Sequence, residues 1–133
     1  MPYKILVVDD SEPIRIRLCS LLAGIPGTST IDQAGTLSEA LARVRLCPPE
    51  LVILDLHLPD GLGLEIIASL KHTNPGLRVA ILTLFGYSNY RQRCLTLGAD
   101  WFFDKACQFD DLLDVVRQQV DLYLAANPEK SLT

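Results

Sequence analysis

Three short runs of apolar residues constrain this chain more than any other feature. They are Ile5-Leu6-Val7-Val8, Leu51-Val52-Ile53-Leu54 and Val79-Ala80-Ile81-Leu82. Each run is continuous rather than alternating, which marks a strand covered on both faces. Behind each one, apolar residues recur at helical spacing. Strands buried on both faces need helices above and below them, so the pattern asks for a parallel sheet between two helical layers.

The remaining elements fit that frame. Weaker strands are expected near Thr28 to Gln33 and at Trp101-Phe102-Phe103. Ser11 can cap a first helix that carries Pro13 in its first turn, with Ile14, Leu18, Leu21, Leu22 and Ile25 on one face. Thr36-Leu37-Ser38-Glu39 has the capping-box pattern, and Leu37, Leu41 and Val44 form the stripe behind it. After the loop His57-Leu58-Pro59-Asp60-Gly61, a helix is expected from Leu62 to His72, stopped by Asn74-Pro75-Gly76. Tyr90, Cys94 and Leu97 mark a fourth helix with Gly98 as its C-cap. Phe109, Leu112, Val116, Val120 and Tyr123 mark a fifth, ended by Asn127-Pro128. The fold class is therefore α/β: an open, doubly wound, five-stranded parallel sheet in (βα)5 order. Five strands are too few for an eight-stranded barrel. The expected strand order is 2-1-3-4-5, the flavodoxin-like one, with right-handed crossovers. Residues 1–126 form one domain in this reading, and residues 127–133 a short polar tail.

Composition narrows the function classes. With 49% apolar and 21% charged residues, the 133-residue chain has the balance of a folded domain rather than a disordered one. No apolar run approaches the roughly 18 residues of a membrane span. The net charge is -4, and Arg15/Arg17 and Arg91/Arg93 are isolated pairs rather than a basic stripe, so this domain is not expected to bind nucleic acid itself. Cys19, Cys47, Cys94 and Cys107 form no CxxC, and His57 and His72 are the only histidines, which argues against zinc. Reduced thiols and the lack of a secretory h-region before Asp9-Asp10 place the expected location in the cytoplasm.

The chemistry gathers at the strand ends. Asp9 and Asp10 close the first strand, Asp55 the third, Thr83 the fourth and Lys105 the fifth. In such sheets the site lies beyond the C-terminal ends of the strands, at the switch point between strands one and three. Three carboxylates there repel one another, and a hard divalent cation with oxygen ligands resolves the conflict; Mg2+ leaves positions open for phosphate oxygens. A carboxylate nucleophile, a metal, a lysine and a hydroxyl are the parts of phosphoryl transfer to Asp55.

The sequence resembles the receiver domain of two-component response regulators from Lys4 to about Leu124. The resemblance is carried by Ile5 to Asp10, by Asp55-Leu56-His57-Leu58-Pro59-Asp60-Gly61-Leu62-Gly63 behind its apolar strand, by Ile81-Leu82-Thr83, and by Gly98-Ala99-Asp100-Trp101-Phe102-Phe103-Asp104-Lys105. It implies that Asp55 is the phosphoacceptor, served by a phosphohistidine on a sensor histidine kinase or phosphotransfer protein. It implies Asp10 as a direct Mg2+ ligand, Asp9 as a water-mediated one and the backbone carbonyl of His57 as another. Lys105 would pair with Asp55 before transfer and with a phosphoryl oxygen afterwards. Thr83 would move toward that group, and Phe102, three residues before Lys105, would be the switch aromatic. The fourth helix, last strand and last helix would form the partner or homodimer face. The chain would be a stoichiometric acceptor rather than a turnover enzyme.

Two residues depart from the family pattern. Ala106 stands where a proline commonly follows the lysine, and Leu84 stands where a small residue commonly follows the threonine. Leu84 would narrow the approach to Asp55. These departures leave open a second class, a phosphorylation-independent interaction module on the same fold. A metal-dependent phosphatase would prefer Asp-x-Asp after the first strand, where this chain has adjacent aspartates. No phosphate-cradling Gly-rich loop follows that strand to support flavin or nucleotide binding.

Overall fold

The computed structural model describes residues 3–84 and 88–127. Its elements in chain order are β1 (Tyr3–Val8), α1 (Glu12–Ala23), β2 (Thr28–Ala34), α2 (Leu37–Leu46), β3 (Leu51–Leu54), β4 (His57–Leu58), β5 (Gly61–Leu62), α3 (Leu64–Thr73), β6 (Arg78–Thr83), α4 (Ser88–Leu97), β7 (Trp101–Asp104) and α5 (Phe109–Ala126). Five strands form one sheet in the order β2-β1-β3-β6-β7, with every pairing parallel. Setting the small β4–β5 hairpin aside, this is the 2-1-3-4-5 order expected from the alternation.

Side-chain alternation along each strand divides the core in two. Leu6, Val8, Val52, Leu54, Val79, Ile81 and Phe102 face α2, α3 and α4. Ile5, Val7, Leu51, Ile53, Ala80, Leu82 and Phe103 face α1 and α5. Both faces of the central strands are thus covered, which is why those strands read as unbroken apolar runs. In α1 the buried stripe is centred on Leu18 and Leu22, and Leu21 lies at its edge, 40% exposed, rather than within it. Gly98 ends α4 at φ 116°, in the left-handed region that glycine adopts without strain.

Local signals account for the helix starts. The Ser11 hydroxyl accepts from the Ile14 N–H at 3.4 Å, and Pro13 sits in the first turn. The Thr36 hydroxyl accepts from the Glu39 N–H at 3.1 Å. The Glu39 carboxylate, however, accepts from the Gly35 N–H at 2.7 Å, one residue earlier than a reciprocal capping box requires. Helix α3 starts at Leu64 rather than Leu62, because Leu62 pairs with His57 and Gly61 with Leu58 in an antiparallel hairpin. Helix α5 runs to Ala126, and its C-cap Asn127 donates its backbone N–H to the Leu124 carbonyl at 3.2 Å. Pro128 and the rest of the expected polar tail lie outside the described residues.

Register sets the level of the site. Val8 pairs with Leu54, and Leu54 with Ile81. The Asp9 N–H donates to Ala34 and the Asp55 N–H to Val8, at 3.0 and 2.9 Å. The two aspartates therefore leave the sheet side by side.

Candidate functional site

Asp9 and Asp55 emerge where the sheet stops, and both are buried, at 2% and 6% exposure; Asp10 is exposed. Carboxylate oxygens of Asp9, Asp10 and Asp55 lie within 4.8 Å of one another. Lys105 arrives from the end of β7. Its Nζ donates to Asp55 Oδ2 at 2.9 Å and also forms a close ion pair with Asp9 Oδ2. The lysine was expected on Asp55; the structure places it between two carboxylates. Its backbone is fixed as well, since the Lys105 N–H donates to the Thr83 carbonyl at 2.9 Å.

Burial and pairing oppose each other here. Burial disfavours the charged form of Asp9, the Lys105 and Ser11 hydrogen bonds favour it, and burial prevails, holding the carboxyl above the ordinary aspartate range. For Lys105 burial works against the ammonium, but the bonds to Asp55 and Asp9 together outweigh it and hold the ammonium above its ordinary value. Three carboxylates against one ammonium leave two negative charges when all are ionised, the charge of one divalent cation. The donors are hard oxygens, so the set suits Mg2+. The ammonium beside Asp9 and Asp55 competes with such an ion for both carboxylates.

A cavity of about 240 Å3 opens over the cluster, lined by Asp9, Asp10, Asp55, His57, Lys105 and Leu84 among others. Leu84 is 58% exposed and lines the mouth, as its bulk suggested. Thr83 ends β6 beside the cluster but is fully buried and does not line the cavity. Phe102 is buried too, in the layer that contains Cys94 and has Tyr90 and Leu95 packed against it. His57 meets Tyr90 edge to face, with centroids 6.0 Å apart. Among the described residues no peptide bond is cis, so the Lys105–Ala106 bond is trans. The Ala106 N–H donates to Asp104 Oδ1 at 2.8 Å, a bond that the proline common at this position has no N–H to make.

Three residues have supporting roles that sequence reasoning did not assign. Arg15 donates to the Asp9 carbonyl and to Gln33 Oε1, bracing the acidic loop from α1. Gly63 lies so close to Asp55 that an added Cβ would sit 2.2 Å from the Asp55 carbonyl oxygen. Asp60 hydrogen-bonds the start of α2, a partner too distant in sequence to be read from local pattern.

Against known proteins, residues 5–117 match the family model for the response regulator receiver domain. The chain is 33% identical over 114 residues to the DNA-binding transcriptional activator DevR/DosR of Mycobacterium tuberculosis, a match covering 86% of this chain and 52% of that protein. It thus spans about half the length of the curated relatives it matches. Its fold superposes on a CheY-like response regulator receiver domain from Methanospirillum hungatei with a TM-score of 0.83 and 26% identity, covering 91% of this chain and 95% of that one. A Burkholderia pseudomallei response regulator with a phosphorylated aspartic acid and a calcium ion matches with a TM-score of 0.78 and 27% identity, covering 93% and 72%.

Proposed function

The chain belongs to the response regulator receiver family, and from that membership we propose that it accepts a phosphoryl group on Asp55 from a phosphohistidine of a sensor histidine kinase or phosphotransfer protein. The observation that carries this reading is the Asp55 carboxylate at the end of β3, held on one oxygen by Lys105 and opening into a cavity shared with Asp9 and Asp10. In the proposed step an Asp55 oxygen attacks phosphorus, the P–N bond to the donor imidazole breaks, and the product is an acyl phosphate. Mg2+, held by Asp10, Asp55 and the His57 carbonyl and by Asp9 through water, would supply positive charge at the phosphoryl oxygens. Lys105 orients Asp55 through Oδ2, leaving Oδ1 for attack, and then turns to a phosphoryl oxygen. The buried Thr83 hydroxyl is the second donor for that group. Phe102 repacks behind it, and the α4–β7–α5 face, where a partner or a second copy would dock, changes shape.

Each turn consumes one donor and loads one acceptor, so the chain acts as a stoichiometric phosphoacceptor. Incubation with acetyl phosphate and Mg2+ is expected to add one phosphoryl group by mass, and Asp55→Asn to abolish it. Absence of phosphorylation from both a small donor and a cognate kinase would overturn the reading. Two observations favour a second reading, a phosphorylation-independent interaction module: Phe102 is already packed inside, and Leu84 lines the mouth over Asp55. Partner binding unchanged by Asp55→Asn, with and without kinase, is its signature.

A further inference from the structure

The β4–β5 hairpin is clamped at both ends. At its base the Gly63 N–H donates to the Leu56 carbonyl at 2.6 Å, and Gly63 lies against the Asp55 carbonyl. At its tip, where the chain turns through Pro59 and Asp60, the Asp60 carboxylate reaches helix α2. Oδ1 accepts from the Leu37 N–H at 2.8 Å and Oδ2 from the Ser38 N–H at 3.0 Å, across 23 and 22 residues of chain. Thr36 takes the third first-turn amide and the Ala40 N–H begins the intrahelical ladder, so Asp60 completes the cap. A carboxylate is the favoured partner there, because the first-turn amides and the helix dipole both present positive charge. The bonds from Leu37 and Ser38 favour the carboxylate and hold the Asp60 pKa below the ordinary aspartate value.

His57 and Leu58 form one strand of this hairpin, two residues beyond Asp55. We propose that Asp60 is a positioning residue: by clamping the hairpin tip to the N-terminus of α2, it holds the His57 backbone where its carbonyl serves the divalent cation. This rests on the receiver reading above and extends it to a residue outside the acidic cluster. Because the coupling is a free energy, it works in both directions. If the clamp favours cation binding, cation binding must tighten the clamp.

Isothermal titration of the full chain with Mg2+ alone tests this, together with amide exchange at Leu37 and Ser38. Asp60→Ala is expected to weaken Mg2+ binding about tenfold, the scale for losing a group that orients a metal ligand. Asp60→Asn, which keeps one acceptor oxygen, is expected to recover part of the affinity. Thr36→Ala removes a cap from the same helix without touching the hairpin; it is expected to lower the unfolding temperature while leaving Mg2+ affinity unchanged. In the native chain, Mg2+ is expected to slow exchange at Leu37 and Ser38. Native affinity retained in Asp60→Ala, or lost equally in Thr36→Ala, overturns the role of Asp60 alone. Absence of Mg2+ binding by the native chain, or binding that survives Asp10→Asn, overturns the receiver reading of the site and this proposal with it.

Discussion

The Lys105 ammonium satisfies two buried carboxylates at once, and that sharing decides how the site responds to charge changes. Breaking a buried pair is costly because the remaining charge keeps its desolvation penalty. Lys105→Met leaves Asp9 and Asp55 facing each other and is expected to lower stability by about 3 kcal/mol in metal-free buffer at pH 7, read by urea denaturation. Asp9 carries the opposite sign. Its folded pKa is raised, above all by burial. Between the unfolded and the folded value of Asp9 the native chain therefore holds a proton that the unfolded chain has released, and stability falls as pH rises through this window. Asp9→Asn removes that loss. It is expected to raise the metal-free unfolding temperature at pH 7 by a few degrees, with the gain fading as pH approaches 4. For Lys105 the folded pKa is also raised, so its contribution is complete below the unfolded lysine value and disappears only as pH rises through the folded one. A gain for Asp9→Asn that grows on acidification would contradict this balance.

At the scale of elements, what the sequence revealed and what it hid follow from range. Asp9, Asp10, Asp55 and Thr83 could be placed because each follows an apolar run whose burial fixes its register, and parallel register puts the run ends together. The β4–β5 hairpin could not, because two-residue strands carry no periodicity, and Pro59-Asp60-Gly61 signals a turn without saying what flanks it. The start of α3 moved for the same reason. The Asp60 cap and the Lys105–Asp9 pair depend on partners distant in sequence, which no local pattern encodes. Gly63 was legible as a residue in a matched segment, but not for its physical reason. Its φ of -56° is open to any residue; what it supplies is space against the Asp55 carbonyl. Gly63→Ala is accordingly expected to cost about 2 kcal/mol by overpacking against backbone and to slow phosphoryl acceptance, because relief of the clash moves Asp55. Stopped-flow phosphorylation by a small donor, beside an unfolding curve, separates the two effects. A variant of native stability and native rate would show that the contact relaxes freely.

Across the whole molecule, the sheet separates the layer that could report the site from the layer that anchors it. Phe102 and α4 belong to one side, while Tyr3, packed edge to face on Tyr123 at 5.4 Å, belongs to the other. A phosphoryl group biases a conformational equilibrium only through contacts that differ between the two states. Thr83 and Lys105 are the proposed contacts, and β6 pairs with β7 at Ile81 and Phe102. The ring is already inside at 7% exposure, so a change must be a repacking of the α4 layer rather than entry of a solvent-exposed side chain. Beryllofluoride with Mg2+ is therefore expected to shift α4 and β7 amide resonances while leaving those around Tyr3 and Tyr123 in place. Phe102→Ala removes the packed ring at a cost of about 3 kcal/mol. It is expected to abolish the α4 shifts while phosphorylation of Asp55 by acetyl phosphate continues. If α4 still shifts without the ring, the signal reaches that face by another route. If the Tyr3–Tyr123 side moves equally, the sheet does not insulate one layer from the other.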